Sequence, residues 1–246
     1  MIKFILFSSK IFLTIIVTIL LTSCNSKIDF NNGIDGNGSV TKEVRRVENN
    51  FEKVDISRGL NVTIEQSDSF FIEVEADENL QNHITTKVQN GILYITSDDN
   101  IDEATAKNIL VRLPNLKSIE ASSGSTVSSK GMIQGNDIRI ETTSGSSNKL
   151  NLEYDNITCE STSGSTLNIT GKALKFSTVS SSGSSIEAKN LLANDVISQA
   201  SSGSTTEVHP LISLNAEASS GGLITFNSSP KTIIKNESSG GSVTKE

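Results

Sequence analysis

The 246-residue chain has no tryptophan, aromatics make up only 4% of it, and it holds only two histidines. So few aromatics leave base-stacking platforms and aromatic sugar clefts poorly supplied. Positive charge is also short, with 21 Lys and Arg against 28 Asp and Glu, for a net charge of −7. A nucleic-acid binder needs a basic face, so that class is excluded. His83 and His209 match no nucleophile by spacing, a Gly-x-Ser-x-Gly elbow is absent, and no Cys/His cluster suggests zinc. No metal or cofactor is implied.

The N-terminus carries Lys3 and Lys10, an apolar run over 11–21 broken by Thr14 and Thr18, and then Leu21-Thr22-Ser23-Cys24. A basic start, a short apolar stretch and small residues before the cut describe an export signal over 1–23. The ending resembles the lipobox of bacterial lipoproteins. That resemblance implies cleavage before Cys24 and acylation of its sulfur and new amine. Several acyl chains at ~0.8 kcal/mol per CH2 make a stable anchor, so the membrane is the first partner expected. Lipidation takes one of the two cysteines. Cys159 then cannot form an intramolecular disulfide and reads as a small buried apolar residue. Residues 24–44 are polar and glycine-rich and read as a flexible tether.

What the chain does have is a repeat. A Ser/Thr-Ser-Gly triplet recurs with its glycine at Gly124, Gly145, Gly164, Gly183, Gly203, Gly221 and Gly240, spaced by 21, 19, 19, 20, 18 and 19. Low-complexity linkers do not hold a period. Aligned on the glycine, the positions seven and five before it and three and five after it are mainly apolar, and all share one parity. Ile138, Ile157 and Phe176 stand in the first of these columns, and Ile140 and Cys159 in the second. Period-2 apolar columns mark strands with one buried face. A unit of about 20 residues cannot bury that face alone, but stacked units can. The expected fold is therefore all-β: a right-handed parallel β-helix, or β-solenoid, of about seven rungs over 117–246. Residues 45–116 are strand-like at 53–56, 60–65, 70–76, 84–88, 92–97 and 109–113, with an Asn90-Gly91 hairpin signal. They are expected to form a β-rich head covering one end, with a short helical turn within 98–108.

Two ladders stand out as candidate sites. The corner pairs Ser123-Gly124, Ser144-Gly145, Ser163-Gly164, Ser182-Gly183 and Ser202-Gly203 form either a structural corner or a ligand strip. Left-handed backbone, which glycine takes at no cost, is the structural reason for the first reading. Glu120, Glu141 and Glu160 recur four before the glycine, on the outward parity. They form either a solvated face or a weak cation strip extending toward Gln199 and Glu217. A hydrolase needs two carboxylates converging on one cleft. A ladder of acids on successive rungs does not converge.

Several runs carry a family resemblance. They are 51–66 (Phe-Glu-Lys-Val-Asp-Ile-Ser-Arg-Gly-Leu-Asn-Val-Thr-Ile-Glu-Gln), 72–80 (Ile-Glu-Val-Glu-Ala-Asp-Glu-Asn-Leu), 88–95 (Val-Gln-Asn-Gly-Ile-Leu-Tyr-Ile) and 111–125 (Val-Arg-Leu-Pro-Asn-Leu-Lys-Ser-Ile-Glu-Ala-Ser-Ser-Gly-Ser). In this order they resemble the auto-transporter adhesin family with a head GIN domain, over about 45–245. The resemblance implies a surface β-helical protein, often a lipoprotein, and offers no catalytic residues. The reading is a lipid-anchored, non-catalytic adhesin or scaffold of the cell envelope, at the outer membrane on its periplasmic or surface side. Glycans or envelope or host proteins are the partner classes that fit. The alternatives are a polysaccharide-active β-helix, or an ice- or mineral-binding face built on the hydroxyl row Thr126, Ser147, Thr166, Ser185 and Thr205. The hexapeptide Gly-Ser-Val-Thr-Lys-Glu occurs twice, at 38–43 and 241–246, as a coincidence or as paired end strands. Oligomeric state is open at this level.

Overall fold

Each copy of the triplet closes a tight turn. In the computed structural model, which describes residues 33–46 and 50–246, the amide of Ser165 donates to the Thr162 carbonyl at 3.3 Å, and the equivalent bond recurs in the other turns. Both central residues are left-handed, with φ of 55° at Ser163 and 69° at Gly164. Two such residues closed by this bond make a type I′ turn, which reverses a twisted strand without splaying it. The glycine is there for its φ alone, since a Cβ on Gly164 would meet nothing within 4 Å. The serine before it is left-handed in all seven copies, at 48° to 55°. A non-glycine residue there costs roughly 1–2 kcal/mol. The turns recover part of that cost by locking to one another. The amide of Gly145 donates to Ser163 O, and that of Gly164 to Ser182 O, each at 3.1 Å.

An eighth turn of this kind lies in the head. Arg58 and Gly59 have φ of 61° and 68°, and the Gly59 amide donates to Ser123 O at 2.9 Å. Its flanking strands β2 (Lys53–Ile56) and β3 (Asn61–Gln66) pair parallel with β8 (Ser118–Ala121) and β9 (Thr126–Ser129). Val54 sits on Ile119 and Val62 on Val127. Part of the head is thus a rung of the same stack. The stack continues through β10 (Ile133–Thr142), β11 (Ser147–Ser161), β12 (Thr166–Ser180), β13 (Ser185–Ala200) and β14 (Thr205–Ala218). It ends with β15 (Leu223–Phe226), β16 (Thr232–Glu237) and β17 (Ser242–Lys245). The whole is a β-solenoid of about seven turns.

The apolar columns fall inside, as their parity requires. Ile140, Leu167, Ile186 and Ile224 are fully buried, and Cys159 lies among them, paired in register with Ile140. Burial pushes the Cys159 thiol far up from its ordinary value, which makes it inert. The core also holds a hydroxyl column that the alternation does not announce. The serine following each of the first five repeat glycines is buried and bonds to backbone. Ser165 Oγ lies 2.7 Å from both Thr162 O and Thr142 O of the preceding rung, and its one proton serves the two carbonyls.

Opposite the Ser-Gly corner the long strands bend at a second corner with irregular register. The pairing of β12 with β13 shifts between Asn168 and Thr170. Gly171 is required there, because a Cβ would sit 1.9 Å from Leu152 O.

The N-terminal end changes to antiparallel pairing. β1 (Val40–Val44) lies on β4 (Phe71–Asp77), which lies on β7 (Lys107–Leu113), and β7 joins the stack through β3. On the other face β5 (Ile84–Gln89) and β6 (Ile92–Ser97) form the hairpin that Asn90-Gly91 announces. Two expectations are corrected. Residues 98–108 hold no helical turn; the 3-10 turn is at Glu78–Leu80, where the buried Leu80 anchors it. The segment read as a tether through 44 ends in a paired strand, because Val40–Val44 finds the free edge of β4. Asp77 fixes this end. Its carboxylate, fully buried, accepts from the amides of Gly38, Thr105 and Ala106. Those bonds, Gly38's first, hold it below its ordinary value. The export leader and Cys24 lie outside the described residues.

Candidate functional site

The lateral surface has four features with chemistry. The first is the Ser-Gly ridge. Ser123, Ser144, Ser163, Ser182 and Ser202 stand at the turn tips with their glycines, stacked rung on rung and exposed. Threonine hydroxyls beside the tips also meet, Thr143 Oγ1 and Thr162 Oγ1 at 3.1 Å.

The second is the acidic column. Glu120, Glu141 and Glu160 pair in register on successive strands, and Asp55 extends the row into the head. Beyond Glu160 the column passes to Val179 before Gln199 and Glu217, so an apolar side chain interrupts the row. Arg139, two residues before Glu141, pairs with Glu141 and reaches Glu160 at 3.1 Å. The strip therefore carries its own cation. Glu120, beyond that guanidinium's hydrogen bonds, is pushed above its ordinary value by burial first and then by the charges of Asp55 and Glu141. Burial also raises Asp55.

The third feature was not legible as a column. At the second corner a groove of about 650 Å³ runs across several rungs. Its apolar lining includes Tyr154, Leu174, Leu192 and Leu211, and Glu153, Asp155 and Lys172 supply its polar groups. Leu174 is 52% exposed, Leu192 38% and Leu211 43%. Gly135 makes room for the Tyr154 ring, which a Cβ would approach to 2.5 Å, and the Tyr154 hydroxyl donates to Leu116 O at 2.9 Å. The signal in the sequence is a set of adjacent residue pairs, Ala173-Leu174, Leu191-Leu192 and Pro210-Leu211. One member of each is buried and the other faces out. The register shifts at this corner place them at no fixed distance from the glycine.

The fourth is a group at the open end of the β5–β6 hairpin. His83 Nδ1 lies 2.9 Å from Asp98 Oδ1 and 3.4 Å from Asp99 Oδ2. These three could hold a cation. His209, also at the second corner, has its Nδ1 3.2 Å from Lys189 O.

The sequence profile described as "Putative auto-transporter adhesin, head GIN domain" matches residues 50–230. The chain belongs to this family. Solved structures share the fold. A protein from Bacteroides fragilis described as a putative adhesin is 18% identical, with a TM-score of 0.79, and the match covers 87% of this chain and 100% of that one. A similarly described protein from Parabacteroides merdae is 18% identical, with a TM-score of 0.71 and coverage of 87% and 99%. One from Parabacteroides distasonis, described as a putative lipid binding protein, is 19% identical, with a TM-score of 0.69 and coverage of 87% and 99%. No curated protein matches the sequence. At these identities the likeness is one of fold. Among the described residues no helix is long and apolar enough to cross a membrane.

Proposed function

We propose that this GIN-family solenoid is a lipid-anchored protein of the cell envelope, held at the outer membrane through Cys24, and that it acts by non-catalytic contact along its side. The observation that carries this reading is the second-corner groove. It groups the exposed Leu174, Leu192 and Leu211 on three successive strands, lined by Tyr154 and rimmed by Glu153, Asp155 and Lys172. Exposed apolar side chains grouped within a polar rim mark contact surfaces. The acidic column supports non-catalytic action, since its carboxylates line up along a face with Arg139 across them instead of converging on a cleft. The family description favours adhesion, and the lipid-binding description of one fold relative is compatible with an apolar groove.

The test has two arms. Cys24→Ala is expected to move the protein from the detergent phase to the aqueous phase; unchanged partitioning removes the anchor. The triple variant Leu174→Ser, Leu192→Ser, Leu211→Ser is expected to keep its β-sheet spectrum. It should lose retention of the labelled domain on bacterial cells and epithelial monolayers, and equal retention of both proteins removes the groove.

A further inference from the structure

The two ends of the stack share a device. Among the described residues one path of paired strands runs β1–β4–β7–β3–β9–β11–β12–β13–β14–β15–β17 and ends in β1 and β17; β16, paired only with β14, and β5, paired only with β6, are the other outer strands. The two ends of that path, β1 and β17, carry the two copies of Gly-Ser-Val-Thr-Lys-Glu. The copies are not paired with each other within the molecule, and they face opposite ways: Val243 is buried, whereas Val40 is 42% exposed.

At the β16–β17 end, charged residues occupy core columns. Lys235 lies on Ala216 and Glu237 on Ala218, both of which are fully buried. Lys235 Nζ donates to Val243 O at 2.9 Å and sits 4.9 Å from the centre of the Phe226 ring. Glu237 Oε1 accepts from the Val243 amide at 2.5 Å. Both side chains thus cross from β16 to β17 over the mouth of the core. At the other end Thr41 and Glu43 lie opposite the buried Ala76 and Val74, and the Arg45 amide bonds to Ile72 O. Arg45 pairs with Glu43 at 2.8 Å and donates to Gln81 Oε1 at 2.8 Å, and Gln81 Nε2 returns to Thr41 O at 3.0 Å.

We propose that these two sets, Lys235 with Glu237 and Glu43 with Arg45, are charged plugs that stop one copy from pairing edge to edge with another. A stack of parallel rungs ends in unpaired amides and carbonyls, a template for the next chain, and inward-turned charges are an effective block. A second molecule docking on the β16–β17 edge would have to bury Lys235 and Glu237 beneath its own apolar core, at the cost of desolvating both. The plugs close the β1 and β16–β17 edges, so end-to-end stacking through them is blocked and contact falls to the sides of the unit. This inference does not depend on the groove or the anchor.

Sedimentation velocity over a wide concentration range decides it, using residues 33–246, with circular dichroism as the folding control. The wild type is expected to remain a monomer. Lys235→Ala with Glu237→Ala, which extends the alanines beneath, should at least double the weight-average mass at high concentration. Adding Ile233→Lys, which charges the same exposed rung, should return it to monomer. If the alanine pair does not fold, Lys235→Gln with Glu237→Gln replaces it under the same criteria. A folded variant that stays monomeric, association that survives Ile233→Lys, or an elongated wild-type oligomer would each overturn the proposal.

Discussion

Ser165 Oγ donates to the carbonyl oxygen of Thr142, on the neighbouring rung, at 2.7 Å inside the core. The bond ties one turn to the rung before it, and it is repeated by Ser146 on Ala121, Ser184 on Ser161 and Ser204 on Ser180. Ser165→Ala should lower stability by about 0.5–1.5 kcal/mol in chemical denaturation, the net worth of one hydrogen bond, since the Thr142 carbonyl keeps the Thr162 amide. Ser163→Ala, at the exposed tip of the same turn, should cost far less.

The turn itself can be tested without steric confusion. Gly164→Ala should destabilise by roughly 1–2 kcal/mol through its left-handed φ alone. Gly171→Ala should cost more, because backbone fills the space its Cβ would need. Equal losses at the two positions in urea melts would contradict this account.

In the apolar columns, Ile140→Ala and Ile157→Ala should each cost about 2–5 kcal/mol. Glu141→Ala, pointing outward, should cost under about 1 kcal/mol even though it loses the Arg139 pair. Equilibrium unfolding of the three variants checks the facing of β10 and β11.

Arg139→Gln leaves Glu120, Glu141 and Glu160 without their shared cation. Its melting temperature should fall below that of the wild type at neutral pH and low salt. The gap should close in about 1 M salt, where screening reaches ~3 Å. If the column is a weak cation strip, calcium should raise the melting temperature of the arginine variant more than that of the wild type.

The acids give stability two opposing limbs. Glu120 and Asp55 are raised from 4.5 and 3.8, so their ionisation penalises the fold at neutral pH. That penalty is relieved as pH falls through the raised values. Asp77 is lowered from 3.8, so its contribution is complete above that value and is lost as pH falls through the native one. The melting temperature should hold or rise on mild acidification and then drop. Asp77→Asn should start lower at neutral pH and show a smaller acid drop.

The repeat was legible because one glycine and one parity recur together. The type of the turn was not, because serine seldom takes left-handed φ and nothing in Ser-Gly marks the first position. The Arg58-Gly59 turn escaped because arginine replaces serine at its tip, although Val54, Ile56, Val62 and Ile64 keep the column parity. The strands of the head were legible from alternation, but their partners were not. β2 pairs with β6 and β8, which follow at long separations with hairpins between. The acidic column was legible as a row, but Arg139 across it was not, since it stands in a different column. The groove escaped because bulges at the second corner break the spacing that makes a column visible.

Each turn amide reaches the carbonyl of the next turn and, among the repeat glycines, skips none from Gly124 to Gly221. The molecule is therefore graduated like a ruler. Excising one whole repeat, from one glycine to the next, would shorten the distance between its ends by a single strand spacing of ~4.8 Å. Every remaining rung would still find a partner of its own kind. Length can change in such steps while the Ser-Gly turns stay in register, so the reach of this protein is set by how many turns it counts.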